Sequence, residues 1–185
     1  MPELPRHEPR ILPGTRREIG ALNAMIARLL GVAAGGPPPN IFTTLGKHRR
    51  LFLQWLVFAG GLMPGGALPR RETELMILHV ARHMRCDYEW IHHLRLGKKA
   101  GVTDQEIAQI HAADLEGGGF SARELAMFRA ATDFMEHPSI GQERWDDLRP
   151  HLSDKEIIEF CLLIGHYQML AKTLNSLGVQ PDGAH

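Results

Sequence analysis

The 185 residues include 21 basic and 21 acidic side chains, a formal net charge of zero, and 44% are apolar. The balanced charge gives nucleic acid no electrostatic footprint, and the apolar share supports a core that needs no staples. Two cysteines, at 86 and 161, make no disulfide framework and suit a reducing compartment.

Residues 1–14, MPELPRHEPRILPG, lack the apolar core and cleavage site of a signal peptide. They read as an extended Pro-rich arm, able to drape over a neighbour. The apolar run from Leu51 to Met63 is interrupted by Gln54 and is too short to span a bilayer. The expectation is a cytoplasmic protein with neither a membrane nor a nucleic-acid partner.

Thr15 caps a predicted helix through about Leu30, with Ile19, Leu22, Met25, Ile26 and Leu29 at helical spacing and Gly31 as its stop. A second helix is predicted over about 45–59, stopping at Gly60-Gly61. The basic group Lys47-His48-Arg49-Arg50 at its start reads as a solvated face rather than a phosphate site. Gly65-Gly66 and Pro69 turn the chain into the stretch Arg71–Gly101, which has no Gly or Pro from Glu72 to Leu96. Its first half is apolar nearly all round, so burial is expected. Thr103 or Asp104 caps the next helix, to about Leu115. Gly117-Gly118-Gly119 reads as a hinge, since no strand precedes it and no Lys-Ser/Thr follows. Helices near 121–136, 142–149 and 154–177 complete an all-α reading, because no stretch alternates with period two.

A shift of 50 residues lays Glu74-Leu75 on Glu124-Leu125 and the segment TDQEI on SDKEI. This predicts an internal helical duplication. Under that register Cys86, Glu89 and His93 face Glu136, Ser139 and Glu143, so the second half keeps the scaffold and lacks the chemistry.

The chemistry concentrates in one place. Cys86, Glu89, Trp90 and His93 fall at i, i+3, i+4 and i+7, on one helical face. Glu74 lies twelve residues before Cys86, roughly 18 Å along an unbroken helix, and reaches the others only if the chain turns near Arg85-Cys86-Asp87. Asp87 is a plausible N-cap for a new helix; Cys86 would then sit at a helix N-terminus, where the local potential favours thiolate. Against these stand blander roles: Cys86 as a small buried hydrophobe, Glu89–His93 as an i,i+4 pair, Glu74 as a partner of the preceding arginines. Cys161, in IIEFCLLIG, is core. Tyr88, Trp90 and His166 are packing residues or pocket walls. His79, His83 and Cys86 form a metal-like stripe, but one helix cannot wrap a tetrahedral ion with residues spread over several turns, so no metal is expected.

Glu74, Cys86, Glu89 and His93, with Arg71-Glu72, Tyr88, Trp90, Ala100-Gly101 and Thr103–Ile107, give the stretch a pattern that resembles the carboxymuconolactone decarboxylase family, which includes the alkylhydroperoxidase D-like proteins. The match is specific over about 69–110 and looser to about Gly178. It implies a single all-helical alkylhydroperoxidase D-like bundle over 15–178, its degenerate second half over 120–178. In the peroxidase branch both reactive positions are Cys, flanked by the Glu and the His as a proton relay. Here Glu89 takes the second position, so the disulfide cycle within CxxC is absent. The decarboxylase branch keeps an acidic residue and the His without a CxxC. The resemblance therefore implies a small-molecule substrate, no cofactor, catalytic residues Glu74, Cys86, Glu89 and His93, and assembly as trimers or hexamers. Three functions compete: acid–base chemistry on a small carboxylate or lactone, one-Cys hydroperoxide reduction at Cys86 with an external thiol reductant, and a non-catalytic helical oligomer. The missing second Cys favours the first.

Overall fold

In the computed structural model, which describes residues 8–117 and 119–183, all regular structure is helical. The chain divides into two compact units, one built from the chain up to Gly61 together with the segment from Thr173, the other from Leu62–Lys172.

The first unit holds α1 (Arg16–Ile19), α2 (Ala21–Ala34), α3 (Asn40–Leu45) and most of α4 (Arg49–Leu62). The single helix expected from Thr15 is two, because Gly20 adopts a φ of 84° between them. The second runs past Gly31 to a left-handed Gly35. Helix α3 was not legible in the sequence: its first residue, Asn40, is fixed from far along the chain by Asp182 and the Gln180 carbonyl. Phe42, Phe52 and Trp55 form its aromatic cluster. The N-terminal arm lies along its own chain where it is described, with the amides of Arg10 and Ile11 donating to the Leu177 carbonyl. Residues 1–7 lie outside the described residues.

The second unit contains the hairpin of α5 (Arg70–His83) and α6 (Asp87–Lys99), then α7 (Asp104–Ala112), α8 (Ala122–Glu136), α9 (Gln142–Leu148) and α10 (Asp154–Leu177), whose last residues enter the first unit. A 3₁₀ turn covers Leu115–Gly117; Gly118 of the expected hinge lies outside the described residues. Helix α5 is the core helix, with every residue from Thr73 to Ala81 buried. A helix that is buried on all sides must be apolar on all sides, as its sequence is, except where a partner satisfies a polar group. Thr73, Glu74 and His79 are those exceptions.

The stretches that carry the sequence repeat are tied by reciprocal ion pairs. Arg71 of α5 pairs with Glu124 of α8 and with Glu106 of α7. Reciprocally, Arg123 of α8 pairs with Glu72 of α5 and with Glu156 of α10. Glu106 and Glu156 each also close a capping contact, on Thr103 and on Ser153. The 50-residue register holds between Thr103 and Ser153, but the N-caps of α5 and α8, Pro69 and Ser121, are 52 apart (121 − 69). Those of α6 and α9, Cys86 and Gly141, are 55 apart (141 − 86). A single shift of 50 therefore does not carry the start of α6 at Cys86 onto the start of α9 at Gly141.

Candidate active site

The site exists because α5 stops after His83. The amide of Cys86 donates to the Ala81 carbonyl and that of Arg85 to the Arg82 carbonyl, with Arg85 left-handed at a φ of 51°. This is the Schellman closure, with Arg where Gly is usual. Cys86 itself, not the expected Asp87, is then the N-cap of α6, and Asp87 is its first residue. The turn folds α6 back on α5. Gly97 lets the two come close, since a Cβ there would stand 3.3 Å from Leu78 Cδ1. Glu74 and His93, far apart on one straight helix, become neighbours.

The result is a buried charge relay. His93 Nδ1 lies 2.7 Å from Glu74 Oε2, and His93 Nε2 lies 3.2 Å from Glu89 Oε2. Glu74 Oε1 in turn meets Arg70 Nη2 at 2.6 Å. Glu74 and Glu89 are almost wholly removed from water, as is His93 between them. Burial pushes the His93 pKa down, but the hydrogen bonds and charges of Glu74 and Glu89 outweigh it and raise the value to about 9. At neutral pH the ring is an imidazolium that donates one N–H to each carboxylate. The ordinary histidine value near neutrality does not hold here: His93 is a loaded acid at rest.

Cys86 stands at the start of the same helix, and the electrostatics there oppose the sequence expectation. Its thiol is buried, and desolvation pushes its pKa up to about 12. The amides of Glu89 and Tyr88 favour the thiolate, but the negative charges of Glu89 and Asp87 add to the burial effect. The helix N-terminus is outweighed, and the group is a thiol at neutral pH. Cys161 is half-buried, and burial raises its pKa also.

The remaining candidates fall into two groups. His166 stands on α10 with Tyr167 edge-on beside it, ring centroids 5.1 Å apart, and Tyr167 is edge-on to His93 at 5.4 Å. Burial lowers the His166 pKa, with Glu89 pulling the other way. Tyr88 stacks on His92 at 4.3 Å, and the Trp90 ring lies against His111 of α7. Of the two arginines that the sequence offered as partners of Glu74, Arg70 is the one that meets it, at i,i+4. One participant went unnoticed in the sequence. Tyr167, next to the noted His166, is buried and kept protonated, first by burial and then by Glu89 and Glu74. Its hydroxyl approaches Met63 Sδ at 3.7 Å.

The metal-like stripe does not converge. His79 Nε2 is 2.8 Å from Thr132 Oγ1 and His83 lies near Glu136. Among the described residues no three His, Cys, Asp or Glu side chains are placed to hold a metal ion. No helix among them is long and apolar enough to cross a membrane.

Residues 50–133 match the model of the Carboxymuconolactone decarboxylase family. Nearly the whole chain superposes on solved helical structures at low identity. An alkylhydroperoxidase AhpD core protein, described as an uncharacterized peroxidase-related protein from Ralstonia eutropha JMP134, gives a TM-score of 0.84 at 17% identity, over 96% of this chain and 94% of that one. A peroxidase-related protein from Silicibacter sp. TM1040 gives 0.80 at 16% identity, over 98% and 91%. The debrominase Bmp8, with its Cys-to-Ala variant bound to 2,3,4-tribromopyrrole, gives 0.78 at 16% identity, over 94% and 92%. These likenesses establish the shared fold. No curated protein matches the sequence significantly.

Proposed function

We propose that this chain, whose residues 50–133 match the Carboxymuconolactone decarboxylase family, is a member that performs general acid–base chemistry on a small carboxylate or lactone. The observation that carries this reading is His93 held between Glu74 and Glu89, both ring nitrogens engaged. When a carboxylate leaves as CO₂, its bonding electron pair passes into an adjacent carbonyl as an enolate. A proton must then reach the carbon. His93 supplies it through Glu89: the Nε2 proton moves to the Glu89 carboxylate and from there to carbon, leaving a neutral imidazole held by Glu74. Run in the other direction, Glu89 takes a proton from carbon, the step an isomerisation needs. Glu74 fixes the ring and stabilises its cation, while Arg70 balances Glu74.

The competing chemistry, hydroperoxide reduction at Cys86, needs a thiolate, and burial works against one. Wild type, Cys86→Ser and Glu89→Gln should be screened against small carboxylates and lactones, with a hydroperoxide-plus-thiol assay alongside. The expected outcome is turnover that survives Cys86→Ser and collapses in Glu89→Gln, with slow, substoichiometric sulfenic acid trapping at Cys86. Stoichiometric trapping with thiol-dependent turnover would replace this reading with the peroxidase one. No turnover of either kind would leave the helical oligomer.

We also propose self-association through α2. Leu22, Met25, Leu29 and Val32 are exposed at i, i+3, i+7 and i+10, a heptad seam left uncovered among the described residues of its own unit. Leu29→Glu should lower the mass measured by light scattering, whereas an unchanged mass would place any contact elsewhere.

A further inference from the structure

Three arginines serve the buried carboxylates around α5, and they are not equivalent. Arg71 engages all three of its nitrogens, on Glu106, Glu124 and the Gly101 carbonyl. Arg123 likewise engages all three, on both oxygens of Glu72, on Glu156 and on the His151 carbonyl. Each satisfies its planar fork within the protein, as a structural guanidinium should. Arg70 does not. Its one recorded partner among the described residues is Glu74, through a single nitrogen, and its side chain is 40% exposed where that of Glu74 is 0% exposed.

Arg70 is therefore the one member of the relay that touches water. Glu74, His93 and Glu89 lie behind it, and their formal charges with Arg70 sum to zero, so an anion arriving near the two carboxylates meets no net attraction except at Arg70. Tyr167 stands edge-on to His93, ring centroids 5.4 Å apart, with its hydroxyl 3.7 Å from Met63 Sδ. The segment leading into Arg70 is pinned, since Glu159 accepts the Ala67 and Leu68 amides. Gly66 is required there, because a Cβ would overlap the Glu159 carboxylate. The guanidinium is thus presented from a fixed helix start.

We infer that Arg70 anchors a substrate carboxylate at the entrance to the site, with its unused N–H donors, and so selects small anions whose reacting carbon extends toward Glu89. This rests on the acid–base reading for the reaction, but the binding claim can be tested without turnover. The bland role for Arg70 is counter-ion to Glu74. Arg70→Lys separates the two, since lysine keeps the charge beside Glu74 and loses the fork that grips a carboxylate.

The experiment titrates wild type and Arg70→Lys with benzoate and with neutral benzamide, followed by the histidine NMR signals. Thermal unfolding is measured in parallel to show that the variant is folded. Wild type should bind benzoate at least ~10-fold more tightly than benzamide, and Arg70→Lys should lose ~10-fold or more for benzoate with benzamide unchanged. With a turned-over substrate, the loss should appear in KM more than in kcat. Equal binding of benzoate by both proteins, equal binding of benzoate and benzamide, or no benzoate binding by wild type overturns the inference. Arg70-dependent benzoate binding in a protein whose turnover is indifferent to Glu89→Gln would sink the acid–base reading and leave the anchor standing.

Discussion

Glu89→Gln is expected to reduce kcat for the acid–base reaction by about 10²–10⁴-fold, with the fold intact. The substitution is nearly isosteric, so the helix start at Cys86 and the packing around Tyr167 are kept. What disappears is a proton carrier and a negative charge. The amide oxygen of Gln can still accept from His93 Nε2, but it cannot take that proton or pass it on. Two of the influences that hold the His93 pKa near 9 come from Glu89, so the ring should also become easier to deprotonate. The variant therefore carries a second signature besides lost turnover: a lower histidine pKa. His93→Gln should cost at least as much activity, because it removes the proton itself and leaves Glu74 and Glu89 buried without their shared partner. A merely structural Glu89 would leave kcat near wild type.

The second large effect is on stability as a function of pH. With His93 raised from 6.5 to about 9, the native state binds more protons than the unfolded state between those values. The corresponding stabilisation is fully present below about pH 6.5 and is lost as pH rises through 9. For a buried ring this is on the order of 3 kcal/mol at most. His79 acts in the opposite sense. Burial first, then His83 and Arg82, lower its pKa to about 4, so the native state binds fewer protons and stability falls as pH drops from 6.5 through 4. Urea unfolding across pH 5–10 should therefore show an alkaline limb attributable to His93 and a mild acid limb attributable to His79. His93→Gln should flatten the alkaline limb. An unchanged limb in that variant would mean that the imidazolium is not what the two carboxylates stabilise.

How much of this was legible in the sequence depends on whether the cause was local. The capped helices α7, α8 and α10 were readable because Thr103–Glu106, Ser121–Glu124 and Ser153–Glu156 signal their own starts. The turn between α5 and α6 was only permitted by the sequence, since Arg85 takes the left-handed position that Gly would have advertised. Helix α3 depends on Asn40 being held by residues 140 positions away, which no window can see. Glu74, Glu89 and His93 come into contact, with Cys86 at the start of the same helix, but their charge states were not readable. A thiol at a helix start reads as thiolate and a histidine reads as half-protonated. Burial reverses the first, and a second carboxylate from another helix fixes the second. Arg70 and Arg71 are adjacent and chemically identical in sequence; only the packing of α7 and α8 against one of them distinguishes them.

The most direct test of the account is a ¹⁵N NMR titration of the His93 ring in the intact protein, assigned by its loss in His93→Gln. Both ring nitrogens should be protonated at pH 7.5 and titrate together near pH 9, with a lower value in Glu89→Gln. A neutral ring at pH 7.5 that titrates near 6.5 in wild type would contradict it, because the proton that Glu89 is proposed to deliver would not be there.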